Sequence, residues 1–155
     1  MVNIKKIEEI LATSIFEVFE KMFFVFAEPF QGDDQAYRLQ ASVRFEGPCG
    51  GRMRILLTSG LAKTMAKNML NLEEDEINDT IMADCVRESI NMVCGNFLRK
   101  LDPVHGSRMT IPECDVISNH EKLSEDRNQS NVKLAFSTEN DAFEVQLNMQ
   151  DSPQP

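Results

Sequence analysis

Two rhythms of apolar residues alternate along the chain. From residue 3 to residue 27 apolar side chains return every three or four positions, as Ile4, Ile7, Leu11, Ile15, Val18, Met22 and Phe26, with Phe16, Phe19 and Phe23 as a second stripe beside them. A helix turns about 100° per residue, so this spacing predicts one long helix over 3–27, with Asn3 placed to cap it and two stripes that need wide cover. EPFQGDDQ, holding Pro29 and Gly32, then reads as a loop.

From Tyr37 the period falls to two. Tyr37, Leu39, Ala41, Val43 and Phe45 alternate with polar residues, GPCGG at 47–51 supplies a turn, and Met53, Ile55 and Leu57 resume the alternation, predicting an antiparallel hairpin. Ser59 is placed to cap a short helix that buries Leu61, Met65, Met69 and Leu72. The acidic run EEDE leads from it into a second long helix, whose first turn favours negative charge. That helix is predicted from about Glu76 to Leu101, ahead of Pro103. Its core face is Met82, Val86, Ile90, Val93, Phe97 and Leu101; the opposite face carries Asp84, Glu88, Asn91 and Gly95.

Beyond it RMTIPECDVIS reads as a strand interrupted by Pro112, and NHEKLSEDRNQS as a polar loop. Val132, Leu134 and Phe136, then Phe143, Val145, Leu147 and Met149, mark two closing strands joined by a turn at 139–141. Each half is thus a long amphipathic helix followed by antiparallel strands. The order predicts an α+β domain over residues 1–150, an internal pseudo-duplication with its helices packed on antiparallel sheet, and a frayed tail at 151–155.

Composition narrows the functional classes. Sixteen Lys and Arg against twenty-five Asp and Glu give a net charge of −9 over 155 residues, and no basic run interrupts it. Such a chain is repelled by nucleic-acid backbones and anionic membranes, so neither is an expected partner. The longest apolar run, MFFVFA, is far short of the roughly 20 residues that cross a bilayer, and acidic residues near the N-terminus do not suit a signal peptide, so a cytoplasmic protein is expected. Cys49, Cys85, Cys94 and Cys114 lack CxxC pairing and histidine company, which predicts reduced thiols and no metal.

The motifs of covalent and metal catalysis are missing: no phosphate loop, no GxSxG, no HExxH. His105 and His120 fall in predicted loops without an evident orienting partner. What remains is the stripe Asp84, Glu88, Asn91, Gly95. Residues three apart are helix neighbours, so Glu88 and Asn91 project together: one carboxylate able to pair with a cation, one carboxamide able to accept from a water and donate to an oxyanion. Gly95 would let a partner backbone come close. By its residues alone the stripe is better read as an ordinary wet helix face. At most the pair could position a water within another protein's active site, where phosphoryl hydrolysis depends on placement and electrostatics.

Asp84-x3-Glu88-x2-Asn91, continued as NMVCGN and followed by Pro112 twenty-one positions after Asn91, resembles the signature of the CheC/CheX/FliY family of response-regulator phosphatases, in its single-site CheX-like branch. The resemblance extends over residues 3–149. It implies a CheC-like fold and hydrolysis of the aspartyl phosphate of a CheY-like receiver, in chemotaxis or another two-component circuit. Asn91 would orient the attacking water and Glu88 would pair with the receiver's lysine, with Asp84, Gly95 and Pro112 in support. The Mg²⁺ would be the receiver's, leaving this chain without a cofactor, and homodimers through sheet edges are implied as well. The corresponding place in the first helix reads Thr13-x3-Glu17-x2-Glu20, with a carboxylate where the asparagine belongs, so one site per chain is expected. The alternative within the same fold is a non-catalytic receiver-binding or flagellar-switch-like adaptor.

Overall fold

The first helix, α1, runs Ile4–Met22 from its cap, where the Asn3 side chain accepts from the Lys5 amide. The computed structural model describes residues 3–31, 35–117 and 130–150, so the expected tail, His120 and most of the polar loop lie outside the described residues. α1 stops short of the predicted Ala27. Phe24 takes a left-handed φ of 53°, and the Val25 amide turns back to donate to the Phe19 carbonyl at 2.9 Å. Phe26, expected on the helix stripe, is therefore off the helix and 75% exposed.

The strands are β1 (Glu28–Pro29), β2 (Leu39–Glu46), β3 (Gly50–Leu57), β4 (Arg108–Met109), β5 (Glu113–Val116), β6 (Ser130–Ser137) and β7 (Ala142–Gln150). Two further helices are α2 (Ser59–Leu70) and α3 (Asp79–Leu101). β1 falls where a plain loop was expected; it is a two-residue edge strand, a position that tolerates Pro29. β3 begins at Gly50, inside the expected turn. Gly51 fits there because a Cβ at that position would come within 2.2 Å of the Asn148 carbonyl oxygen on β7.

The strands form one antiparallel sheet ordered β1-β6-β7-β3-β2-β4, with β5 also on β2. β3 and β7 pair at its centre, so each half's hairpin lies either side of a pseudo-twofold. The helices cross over: α1 packs on β6 and α3 on β2 and β3, each on strands of the other half, and α3 also meets β5 of its own half. Phe19 stacks on Phe143 at 4.3 Å, and Phe16 meets Phe136 edge-on at 5.4 Å, fixing α1 to the β6–β7 hairpin. Burying such rings is worth roughly 2–3 kcal/mol each, before the stacking term.

Local signals differ in detail from expectation. Thr58, not Ser59, is the cap of α2, and its hydroxyl donates to Asp141 at 2.8 Å instead of capping the helix. EEDE supplies a separate 3₁₀ turn, Glu74–Glu76, with Glu73 and Glu76 in a capping box. α3 consequently starts three residues later than predicted, capped by Asn78, whose side chain accepts from the Ile81 amide at 2.9 Å.

Candidate functional site

The site is built on α3 because that helix is held on three sides. α1, α2 and the sheet all pack against it, so its buried surface is wider than a single stripe. Cys85, Ser89, Cys94 and Leu98 join Met82, Val86, Ile90, Val93 and Phe97 in the interior, while Leu101 stays half-buried. The Ser89 hydroxyl satisfies itself by donating to the Val86 carbonyl at 2.7 Å. The face of α3 left open runs along Asp84, Glu88, Asn91 and Gly95, with Arg87, Met92 and Asn96 half-buried and Arg99 exposed beside them.

Asp84 is exposed, whereas Glu88, Asn91 and Gly95 are half-buried. Asp84 forms an ion pair with Arg87. Sequence reasoning passed over Arg87, although its spacing of three was the signal for such a pair. Glu88 and Asn91 form no hydrogen bond or ion pair among the described residues. Their carboxylate and carboxamide are thus uncommitted, and a rigid helix carries both. Beneath them the Cys85 thiol is pushed up by burial first and then by the negative charges of Asp84 and Glu88, so this end of the strip has an anionic field.

One side of the strip is walled by the interrupted edge strand. A methyl built on Gly95 would lie 3.9 Å from the Met109 sulfur, and the Cys114 thiol, raised mainly by burial, feels the charges of Arg87 and Asp84. β4 thus meets α3 near Gly95 and β5 meets it near Arg87, with Thr110–Pro112 joining the two strands. Thr110 bridges the break: its amide donates to the Arg44 carbonyl at 2.9 Å and its hydroxyl accepts from the Arg44 amide at 3.0 Å. Pro112 has no N–H for the ladder, so the strand opens there. Ile111 beside it is 87% exposed.

Two shallow hollows flank the strip. One, of about 510 Å³, lies at the start of α3 against Leu39, Met82, Ala83, Arg87 and Cys114. The other, of about 260 Å³, lies at its end against Gly95, Leu98, Asp102, His105 and Met109. His105 does have a local partner, contrary to expectation: its Nδ1 is 3.1 Å from Asp102 Oδ2. The Asp102 carboxyl is held below its usual range chiefly by the His105 backbone amide. Among the described residues no three His, Cys, Asp or Glu side chains are placed to hold a metal ion, and no helix is long and apolar enough to cross a membrane. The degenerate counterpart in α1 is occupied: Glu17 pairs with Lys100 of α3 at 3.0 Å.

The fold recurs in known structures. A crystal structure of chemotaxis protein CheX from Vibrio vulnificus matches with a TM-score of 0.78 at 21% identity, covering 93% of this chain and 96% of that one. CheX in the CheX–CheY–BeF3–Mg²⁺ complex from Borrelia burgdorferi matches with a TM-score of 0.72 at 18% identity, over 93% and 97%. The FliM middle domain from Vibrio alginolyticus matches with a TM-score of 0.58 at 15% identity, over 94% and 92%. No curated protein sequence matches the chain. The family model described as chemotaxis phosphatase CheX matches residues 39–137, well over half of the chain and all of α3, and on that match the chain belongs to the CheX family.

Proposed function

We propose that the chain is a phosphatase for a phosphorylated CheY-like receiver, with α3 as the element that enters the receiver's active site. The observation that carries this reading is the pair Glu88 and Asn91, uncommitted and half-exposed on a helix whose other faces are locked in the core. The Asn91 amide accepts a hydrogen bond from a water and donates to a phosphoryl oxygen, setting the water in line with the aspartyl phosphate. Glu88 pairs with the receiver's lysine and fixes the approach. The Mg²⁺ that neutralises the phosphoryl charge stays with the receiver. Asp84 orients Arg87 at the head of the strip, Gly95 lets the partner's backbone draw near, and Pro112 opens the edge strand between β4 and β5.

The gain comes from positioning, which suits a site that holds no nucleophile. Phosphate release from each phosphorylated receiver of the source organism is the test. The reading requires that the wild-type chain accelerate release from at least one receiver and that Asn91→Ala lose the acceleration. If no receiver responds, the reading fails.

The likeness to the FliM middle domain favours a second reading, a receiver-docking adaptor of the same fold that hydrolyses nothing. Such a module keeps its binding and shows no turnover with either Asn or Ala at position 91. We also propose a homodimer through sheet edges. Ile111 and Val116, 87% and 71% exposed along the β4–β5 edge, offer apolar surface that edge pairing would cover.

A further inference from the structure

No basic run exists in the sequence, but the sheet assembles one. Arg44 on β2 stands directly opposite Arg52 on β3, and Arg54 lies two residues along the same strand. Their neighbours Val43, Phe45, Met53 and Ile55 point into the core, so by strand alternation all three arginines leave the other face of the sheet, away from the helices. Strand spacing sets Arg44 and Arg52 about 5 Å apart at Cα, and Arg52 and Arg54 about 7 Å apart.

Like charges directly opposite one another weaken a strand pair, and among the described residues none of the three arginines forms an ion pair that would relieve them. Arg54 is half-buried and forms no hydrogen bond or ion pair among the described residues. Its guanidinium is pushed below its ordinary range by burial first and by Arg52 second. Among the described residues Arg52 reaches only Ser42 Oγ, at 3.3 Å, and its buried Nε has no partner. The adjacent Lys133 is already committed to Glu144, whose buried carboxylate also accepts from Gln146 at 2.6 Å. A half-buried guanidinium without an acceptor carries a desolvation cost that a bound carboxylate removes.

We propose that this outer face docks a carboxylate-rich segment of a partner protein, read by Arg44, Arg52 and Arg54. A pleated sheet face is broad and open, which suits a protein segment better than an enclosed small molecule. The arginine fork matches carboxylates bidentately, and three forks at this spacing match carboxylates presented on successive turns or strands of a partner. Glu46 and Glu113 lie on the same face at the margins of the cluster. They disfavour a continuous phosphate backbone running through it, as does the net charge of −9.

The test is titration of a fluorescein-labelled oligoglutamate peptide with the full chain at low ionic strength, beside a single-stranded oligothymidylate of equal charge. Saturable peptide binding is expected, with at least about tenfold loss in the double variant Arg52→Gln/Arg54→Gln. Lys133→Gln is expected to leave it unchanged. Arg44→Gln, at an exposed position, gives a second reduction should the double variant fold poorly by circular dichroism. The proposal is overturned by absent peptide binding, by binding that ignores these arginines, or by preferred binding of the oligonucleotide. Self-association of the wild type that the arginine variants abolish would assign the face to a second copy, and overturns it too.

Discussion

Lys100 Nζ lies 3.0 Å from Glu17 Oε1, joining the last turn of α3 to α1 across the pseudo-twofold. Glu17 stands where the second half has Glu88, so the same position in the repeat is a structural tie in one half and, among the described residues, an unpaired carboxylate in the other. Both side chains are about a third exposed, which limits the pair to less than about 1 kcal/mol. Glu17→Ala and Lys100→Ala should each lower the urea midpoint slightly, a double-mutant cycle should return a coupling of that size, and receiver dephosphorylation should not change.

Gly95 is a helix-interior glycine with room beside it. A methyl there would make only ordinary contact with Met109, at 3.9 Å. Gly95→Ala should therefore stabilise the isolated protein by roughly 0.5–1 kcal/mol, the usual helix difference between the two residues. If a receiver backbone approaches this face, the same methyl should raise KM for the phosphorylated receiver. Opposite signs in the melting temperature and in kcat/KM are the expected result. A variant that is both more stable and fully active would show that the partner does not come close at Gly95.

Cys94 is fully buried, and burial pushes its thiol up from 9.0 to about 12. The unfolded chain then releases this proton at lower pH than the folded protein does, so rising pH favours unfolding. The stabilisation is complete below pH 9.0 and is lost as pH climbs toward about 12. Tyr37, raised from 10.0 to about 12 by burial and by Glu144, acts in the same direction. Urea midpoints should fall through this alkaline range. Cys94→Ala should show a shallower fall, and Cys94 should react with thiol reagents only as fast as the protein opens.

The parts of this molecule legible in the sequence are those that local periodicity dictates. α3, its open strip and the alternating strands follow from spacing alone, and the motif residues lie where the helix period puts them. Phe24 shows where that logic ends, because an aromatic run fits a helix yet the backbone reverses into a left-handed turn. The interior positions Cys85, Ser89 and Cys94 were hidden for another reason: cover by α1 and α2 widens the buried arc beyond one stripe. The wall that Met109 forms beside Gly95 and the opposition of Arg44 to Arg52 depend on strand register, which no local window contains.

Asn91 and Glu88 should separate in kinetics under the proposed role. Asn91 acts on the water, an interaction realised mainly in the transition state, so Asn91→Ala should lower kcat about 10²-fold or more with KM nearly kept. Asn91→Asp has almost the same shape, yet a carboxylate cannot donate to a phosphoryl oxygen and repels it, so it should be no better than alanine. Glu88 contacts the receiver before and during the reaction; Glu88→Gln should raise KM more than it lowers kcat, and the loss should shrink at high salt. Neither side chain has a hydrogen bond to lose among the described residues, so all three variants should melt within a few degrees of wild type. Asn91→Asp turning over receiver as fast as wild type would remove the amide from the mechanism.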